Sequence, residues 1–298
     1  MSLDNNNDLS VQGILRHLAH ELPQVLSGNF SERIFVYNTL ESTNITAKDM
    51  VVSGDGEHGT VIISDFQSAG KGRYGKSFYS PAGRGLYISF ILDSSRIGFS
   101  TPTLITAFAA VSVCEAIETV SNKSPQIKWV NDVFLDGKKV CGILTESVTT
   151  PDNTCSNSIN APLVTLGIGI NFNAPAEEFP EDLQHTAGSL FGAETPSTTR
   201  NHLAAELIYR ILYSEYHQNE KKMLSVYKEK MFMLGKTIIV EGTDGSYDAI
   251  AVDIDNIGRL VVKNADEELL TLSSGEVSVR GFCRCHRFRL NRDLVDKD

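Results

Sequence analysis

Three glycines and three cations share one stretch of seven residues and indicate anion chemistry. Gly70–Lys76 reads Gly-Lys-Gly-Arg-Tyr-Gly-Lys, and its cations are Lys71, Arg73 and Lys76. Glycine lets main-chain N–H groups approach an anion closely, and the cations supply positive charge. The stretch suits a phosphate or a carboxylate, although similar runs also form solvated surface turns. It has neither the Gly-Lys-Ser/Thr ending of a phosphate-binding P-loop nor the spacing of a dinucleotide fingerprint.

Two predicted strands lead to polar clusters from which a ligand could be held. Thr60–Ser64 is a short apolar strand that runs into the glycine-rich loop. Arg33–Tyr37 is an earlier strand that runs toward Glu41–Asn44, where hydroxyl and amide side chains precede a helix. A strand end followed by a helix start is a common place for a small ligand. Plain capping of the helix is the alternative.

A third polar cluster follows the strand that carries the only tryptophan. Gln126–Val130 leads directly into Asn131 and Asp132. The Asp136-Gly137 turn then predicts a hairpin whose returning strand is Lys138–Glu146. Residues 147–160 are polar and are predicted to form a loop.

A fourth strand, Leu163–Asn173, contains Gly167 and Gly169. Glycines inside a strand indicate that another backbone or a ligand lies close.

The other elements follow from hydrophobic periodicity and capping residues. Short β runs separated by Asp-Gly, Asp-Asn and Ser-Gly turns between Lys236 and Arg280 predict a small all-β unit. The remaining predictions are an amphipathic helix from Ser10 to Leu22, a strand over Gly85–Leu92, a helix from Thr101 to about Val120, and a helical region from Thr199 to about Met233.

The amino-acid composition is that of a globular protein with a negative net charge. The 298 residues are 41% hydrophobic and 21% charged, with a net charge of −10, which disfavours nonspecific nucleic-acid binding. No stretch of about 18 apolar residues is apparent, so no membrane span is expected. Met1–Asp8 is acidic and resembles neither a signal nor a transit peptide. We therefore expect a cytoplasmic protein.

The cysteines indicate reduced thiols. They are five in number, scattered, and lack the paired spacing of a zinc site, with only Cys283 and Cys285 close together. A reducing compartment is expected and metal binding through cysteine is not.

Four of these stretches occur in one order along the chain. They are Glu41–Asn44, Gly70–Lys76, Lys128–Asp132 with Lys139–Leu144, and Gly167–Asn173. Each is weak by itself, but together they resemble the biotin protein ligases, also called biotin–[acetyl-CoA-carboxylase] ligases. The resemblance covers about residues 33–280 and implies the monofunctional type, without an N-terminal DNA-binding domain.

The resemblance implies an α/β (α+β) fold. A mixed sheet with flanking helices, as in the class II synthetase-like catalytic domain of biotin ligases, would be followed by a small SH3-like C-terminal β-barrel. The chain would divide into an N-terminal extension with one helix (1–32), a catalytic domain (33–234), an SH3-like domain (235–282) and a tail (283–298).

The reaction that the resemblance implies has two steps. The biotin carboxylate attacks the α-phosphate of ATP, with Mg²⁺, to give biotinyl-5′-AMP and pyrophosphate. A lysine of the biotin carboxyl carrier domain of a biotin-dependent carboxylase then attacks the acyl carbon and releases AMP. Biotin is thus a substrate, ATP and Mg²⁺ are required, and no residue is firmly assigned to the metal.

The resemblance also implies residue roles. Arg73 would retain the acyl-adenylate, Lys139 would bridge the biotin carboxylate and the α-phosphate, and Asp132 would help the incoming lysine lose its proton. The biotin-binding set is Ser42, Thr43, Asn44, Gln67, Lys71, Gly72, Arg73, Trp129, Lys139 and Gly142. The ATP-binding set is Arg73, Lys76, Asn131, Asp132, Asn171, Asn173 and Arg280.

Some residues depart from the family pattern. Lys71, Tyr74 and Lys76 stand where many members have arginine, so bidentate contacts are lost there. Val130 replaces a proline and is expected to loosen the turn into Asn131 and Asp132. Cys141 replaces a smaller residue beside the implied biotin pocket and is expected to narrow it.

Structural roles remain the alternative for single residues. Trp129 suits a core or pocket wall, Lys139 beside Lys138 suits a solvated hairpin edge, and Asp132 suits a turn cap.

Other functions also remain. Lipoate ligation shares the fold and chemistry, but its Arg-Arg and Gly-Gly-Gly motif is missing. A DNA-binding regulator would need a helix-turn-helix before Ser42, where too little chain is available. A catalytically dead binding module is disfavoured by Arg73 and Lys139. Whether the chain forms a homodimer is left open.

Overall fold

Two β-sheets with flanking helices make up the fold in the computed structural model, which describes residues 9–21, 29–99, 101–148, 163–242 and 245–279. The helices are α1 (Val11–Glu21), α2 (Thr43–Ser53), α3 (Ser94–Ile97), α4 (Pro102–Ser121), α5 (Arg200–Tyr213) and α6 (Glu220–Lys230). The strands of the first sheet are β1 (Ile34–Leu40), β2 (Val61–Gln67), β3 (Gly85–Asp93), β4 (Gln126–Lys128), β5 (Asp132–Leu135), β6 (Lys138–Ser147) and β7 (Leu163–Asn171). Those of the second are β8 (Thr237–Gly242), β9 (Gly245–Ile254), β10 (Leu260–Lys263), β11 (Leu269–Leu272) and β12 (Glu276–Val279).

The first sheet is mixed, as the resemblance implied. Its order is β1-β2-β3-β7-β6-β5-β4; β1 and β2 are parallel, and the other neighbours are antiparallel. Strand β3 lies inside the sheet between β2 and β7, and its nine residues are all buried. Because side chains alternate along a strand, Val61 and Ile63 enter the main core while Ile62 packs on the opposite face with Ala47 of α2.

The core helix α4 begins where the sequence predicted. Thr101 accepts a hydrogen bond from Leu104 N at 3.2 Å, and Pro102 occupies the first helical position. This helix corrects the expectation that no long apolar stretch exists. By length and mean hydropathy (1.6) it qualifies as a membrane-crossing helix, yet 78% of that stretch is buried inside the protein.

The N-terminal helix is part of the same core. Ser10 caps α1 by accepting from Gly13 N at 3.1 Å, and Ile14 and Leu18 are fully buried. Gly13 lies so close to α5 that a Cβ there would approach Asn201 Nδ2 to 2.1 Å. Residues 9–21 therefore pack with the sheet and α5, and a domain limit near residue 32 stays a prediction.

The helical region predicted over 199–233 is divided. Its first helix, α5, begins after the N-cap Thr199 but ends at Tyr213, and a short 3₁₀ turn, Glu215–Gln218, precedes α6. Asn219 then caps α6 by accepting from Lys222 N at 3.0 Å. A second N-cap inside the region starts a separate helix, which the apolar periodicity did not reveal.

The second sheet is antiparallel with the order β11-β10-β9-β8-β12, which confirms the predicted C-terminal β unit. It contacts the first sheet through Trp129, whose Nε1 donates to Gly258 O at 3.0 Å. Strand β4 ends at Lys128, two residues earlier than predicted. The predictions that fall on Arg280, Cys155, Cys283, Cys285, the tail 283–298 and most of the loop 147–160 lie outside the described residues.

Candidate functional site

A cleft of 1150 Å³ opens beside α2, the glycine-rich loop, the β5–β6 hairpin and β7, and it gathers most of the predicted site residues. Those that line it are Ser42, Thr43, Asn44, Gln67, Lys71, Gly72, Arg73, Lys76, Trp129, Asn131, Asp132, Lys139 and Gly142. An adjoining cavity of 290 Å³ adds Asn171 and shares Asp132 and Lys139 with the cleft. Asn173 is absent from the described lining of both, although its buried Oδ1 has no described hydrogen-bond partner.

The glycine-rich loop is a narrow hairpin that main-chain bonds hold beside Ser42. Gly72 N donates to Lys76 O at 2.7 Å, and Phe78 N donates to Gly70 O at 2.8 Å. Ala69 N donates to Glu41 O at 2.9 Å, which brings the loop against the start of α2. A Cβ at Gly70 would approach Phe78 O to 2.5 Å. This glycine is therefore required for the close approach of the hairpin strands.

Arg73 projects from this loop across the cleft mouth. Its Nη1 donates to Asn131 Oδ1 at 3.2 Å, and its Nη2 donates to Tyr74 Oη at 2.9 Å. The guanidinium also stacks 4.8 Å from the centre of the Tyr74 ring. The loop and the residue pair after β4 thus meet at one point, as the sequence placed them.

The loop also contacts the second sheet. Tyr74 Oη accepts from Gly275 N at 3.0 Å, and Lys76 forms an ion pair with Glu276. Glu241 and Ser278 of the second sheet also line the cleft. The sequence assigned only Arg280 from this part of the chain, so these contributions were missed.

Lys139 and Asp132 form an ion pair across the β5–β6 hairpin, with Nζ and Oδ1 2.7 Å apart. Both side chains line the cleft, which rules out a fully solvated hairpin edge for Lys139. Lys138 points elsewhere, since its Nζ donates to Gln184 O at 3.2 Å. The two adjacent lysines of β6 therefore point to opposite sides of the strand.

Three glycines on β6 and β7 lack side chains at the base of the cleft and so leave space there. Gly142 of β6 lies opposite Gly169 of β7, and Gly167 lies two residues earlier on the same face. A Cβ at Gly169 would approach the Phe78 ring to 2.6 Å, and one at Gly167 would approach Asn44 Oδ1 to 2.3 Å. The strand glycines predicted a close approach by another backbone or a ligand, and the structure places the side chains of Phe78 and Asn44 there instead. Phe78 was missed, because the loop sequence does not show which strands it covers.

The inner end of the cleft is neutral and polar. Gln67 Oε1 accepts from Thr43 N at 2.8 Å and lies 3.1 Å from Thr43 Oγ1, and Gln67 Nε2 donates to Ser80 Oγ at 2.9 Å. Ser42 occupies the N-cap position of α2 without a capping bond from its side chain, although it is 2% exposed and lines the cleft. Plain helix capping therefore does not explain Ser42.

Two groups behind this end were also missed: the hydroxyl of Ser89 and the carboxylate of Glu146. Ser89 Oγ lies 2.7 Å from both Thr43 Oγ1 and Asn44 Oδ1. Asn44 Nδ2 donates to Glu146 Oε2 at 2.9 Å. Burial opposes ionisation of Glu146, but hydrogen bonds from Lys48 and Asn44 outweigh it and lower the pKa of this carboxyl.

Trp129 and Cys141 clarify two expectations. Trp129 is 3% exposed and belongs to both the core and the cleft wall, so the structural and the site interpretations both hold. Cys141 is fully buried in the core, and burial raises the pKa of its thiol well above the usual value. Because Cys141 alternates with Gly142 along β6, its side chain leaves the cleft face, and the expected narrowing of the pocket is wrong.

A dedicated metal cage is not evident. Among the described residues there is no group of three or more His, Cys, Asp or Glu side chains that would hold an ion. The cleft nevertheless offers the carboxylates of Asp132, Glu241 and Glu276. This set fits Mg²⁺, which usually takes one or two protein carboxylates together with substrate phosphates.

Two family profiles match the chain. The profile of the biotin/lipoate A/B protein ligase family matches residues 36–161, and that of the biotin protein ligase C-terminal domain matches residues 233–280. The first covers the cleft through β6, and the second covers the second sheet.

Individual proteins agree with these profiles. The chain is 29% identical to the bifunctional ligase/repressor BirA of Bacillus spizizenii, over 79% of this chain and 70% of that protein. It is 25% identical to the biotin–[acetyl-CoA-carboxylase] ligase of Mycobacterium tuberculosis, over 79% of this chain and 85% of that protein. The solved structure of the biotin protein ligase of Aquifex aeolicus in complex with biotin and ATP matches with a TM-score of 0.69 and 26% identity, over 83% of this chain and 98% of that one. The chain belongs to the biotin protein ligase family.

Proposed function

We propose that this chain is a biotin–protein ligase that activates biotin with ATP and transfers it to a lysine of a carrier domain. The observation that carries the proposal is that one cleft joins a neutral polar end, at Thr43 and Gln67, to a cationic end, at Arg73 and Lys139. Biotin has the same polarity along its length: a neutral cyclic urea at one end and a carboxylate at the other.

The neutral end suits the urea. The carbonyl of Gln67 already accepts from Thr43 N, and one N–H of its amide is donated to Ser80 Oγ, so the side chain presents its other N–H rather than its oxygen. An N–H group can donate to the urea carbonyl. The hydroxyl of Ser42 can either donate to that carbonyl or accept from a urea N–H. The wall of Trp129 and the Phe78 ring over Gly142 suit the apolar rings and chain of biotin.

The cationic end suits the first chemical step. The carboxylate oxygen of biotin attacks the α-phosphorus, and the bond from phosphorus to the pyrophosphate oxygen breaks. Two anions must approach one another, and Lys139, Arg73 and Lys71 offset their repulsion from fixed positions. Lys139 is already oriented by Asp132, which reduces the reorganisation needed when the charge develops.

The nucleotide requires Mg²⁺ and a second set of residues. We assign Lys76, Asn131, Asp132 and Asn171 to the ATP side because they line the cleft and its side cavity. Asp132 is the carboxylate that would join Mg²⁺ brought by the phosphates, and the ion would neutralise charge on the transferring group. Asn173 and Arg280 remain part of the proposed ATP set on the sequence pattern.

The second step transfers the acyl group to a carrier lysine. The amine attacks the acyl carbon, the bond from that carbon to the phosphate oxygen breaks, and AMP leaves. Asp132 stands at the point where Lys139 meets the cleft, so its carboxylate is placed to accept the proton that the amine loses. The acceptor is the biotin carboxyl carrier domain of a biotin-dependent carboxylase.

The test is calorimetric titration with biotin and with lipoate, because lipoate lacks the urea. We expect tight binding of biotin and none of lipoate at the same concentrations. Heat from lipoate and none from biotin would replace this function with lipoate ligation, the competing chemistry of the matched family profile.

Two further assignments accompany the function. With a net charge of −10, we propose that the chain does not bind DNA, which a salt-dependent gel shift with specific competitor would disprove. The packing of α1 supports the absence of DNA binding. Its apolar residues Ile14 and Leu18 are buried in the core, so the helix is part of the main fold rather than of a separate DNA-binding unit. We also propose a cytoplasmic location, where ATP and the carrier domain meet.

A further inference from the structure

A continuous chain of hydrogen bonds connects the neutral end of the cleft to an ion pair behind it. It passes from Gln67 through Thr43, Ser89 and Asn44 to Glu146, which pairs with Lys48 at 2.5 Å. Asn44 and Lys48 are four residues apart on α2, so they lie on one face and reach the same carboxylate. The function proposed above assigns no role to Glu146, Lys48 or Ser89.

The ionised carboxylate fixes the orientation of the chain. Glu146 can only accept, and Leu144 O, 3.4 Å from Asn44 Nδ2, can also only accept. The amide of Asn44 must therefore turn its nitrogen toward Glu146 and its oxygen toward Ser89. Ser89 donates its one hydrogen to that oxygen, so the Thr43 hydroxyl supplies the hydrogen of the 2.7 Å Ser89–Thr43 bond, and Gln67 Oε1 keeps the main-chain N–H of Thr43.

We propose that Glu146 is a positioning residue for the urea-binding end of the cleft, acting through Asn44 and Ser89 without touching the ligand. This inference rests on the proposed function. The carboxylate holds Asn44 in one of its two amide orientations, and thereby fixes the direction in which the hydroxyls of Ser89 and Thr43 donate. Lys48 stabilises the charge of Glu146 and is the weaker contributor, since the Asn44 bond survives without it.

Glu146→Gln tests this inference with little change in shape. A glutamine can donate as well as accept, so Asn44 gains its second orientation and the pattern facing the ligand becomes mixed. We expect biotin affinity to fall about tenfold, the scale of losing a hydrogen bond to a charged group. The rate of pyrophosphate release at saturating biotin should change less than about twofold, because the cationic end is untouched.

Two further variants make the result specific. Ser89→Ala removes the middle of the chain and should weaken biotin similarly while leaving the Lys48–Glu146 pair in place; it also serves if Glu146→Gln does not fold. Glu118→Gln is the matched control, because Glu118 pairs with Lys230 at 2.6 Å on α4, away from the cleft. It should leave biotin affinity unchanged.

The outcomes separate the two claims. If the unsubstituted chain binds no biotin, the proposed function and this inference both fall. If it binds biotin, and folded Glu146→Gln and Ser89→Ala bind equally well, only the positioning role is overturned. A loss in kcat without a change in biotin affinity would also overturn it, since the effect would then lie at the reacting end.

Discussion

Lys139 Nζ lies 2.7 Å from Asp132 Oδ1, across a hairpin whose two strands both border the cleft. The ion pair holds a cation at the wall of the cleft before any ligand arrives. It also places a carboxylate within reach of the same point, so one pair offers both charge stabilisation and a proton acceptor. The two proposed steps thus share one location.

Lys139→Ala should slow adenylate formation by about 10²-fold or more, the scale of losing one well-placed donor. Biotin affinity should fall less, because Ser42 and Gln67 remain. Single-turnover adenylation and biotin titration measure the two effects separately. The matched control is Lys138→Ala, whose side chain reaches Gln184 O outside the cleft. A mild Lys139→Ala and a damaging Lys138→Ala would reverse the assignment.

Arg73→Gly should let the acyl-adenylate escape. The substitution removes a cation and its contacts with Asn131 and Tyr74, so a mixed anhydride would be less well retained. Released biotinyl-AMP should then label lysines of a bystander protein, which mass spectrometry detects. An unlabelled bystander, with adenylate still formed, would count against this role.

Tyr74→Phe should loosen the same loop to a smaller extent. It removes the hydroxyl that accepts from Arg73 and from Gly275 N but keeps the ring under the guanidinium. The bond from Gly275 is neutral and the bond from Arg73 is charged, but both are exposed to water, where we take a hydrogen bond to contribute about 0.5–1.5 kcal/mol, so we expect adenylate release to rise about two- to fivefold. Stopped-flow dissociation measures this rate. Tyr247→Phe, on the second sheet, is the control; equal rates for both variants would remove Tyr74 from the account.

Arg200→Met should cost stability rather than chemistry. Arg200 is 2% exposed and bonds Asp65 Oδ1 at 2.5 Å, and that oxygen also accepts from Gly83 N. Leaving the buried Asp65 carboxylate without its cation should lower the free energy of unfolding by about 3–5 kcal/mol. Arg259→Met, which breaks a more exposed pair with Asp255, should cost about 1 kcal/mol or less in the same urea titration. Similar losses for both variants would contradict the prediction.

Local sequence patterns predicted the helix caps and turns that depend only on neighbouring residues. The caps at Ser10 and Thr101 and the Asp136-Gly137 turn were predictable because each depends on a few adjacent residues. The division of the helical region at Asn219 was not, because apolar residues continue on both sides of the break.

The site was predictable where the motif residue itself enters the cleft, as for Arg73 and Lys139. Residues that act through others were not. Phe78 covers Gly142 and Gly169 only after two distant strands pair, and Glu146 reaches Asn44 across 102 positions of sequence. Cys141 was misread because the side of β6 it occupies depends on the pairing with β7.

Biotin-dependent release of pyrophosphate from Mg·ATP, before any acceptor protein is added, tests the central claim most directly. One cleft that joins the Thr43–Gln67 end to the Lys139–Arg73 end should form the adenylate by itself. We therefore expect about one equivalent of pyrophosphate per protein chain with biotin, and none with lipoate. Release with lipoate and none with biotin would contradict the account.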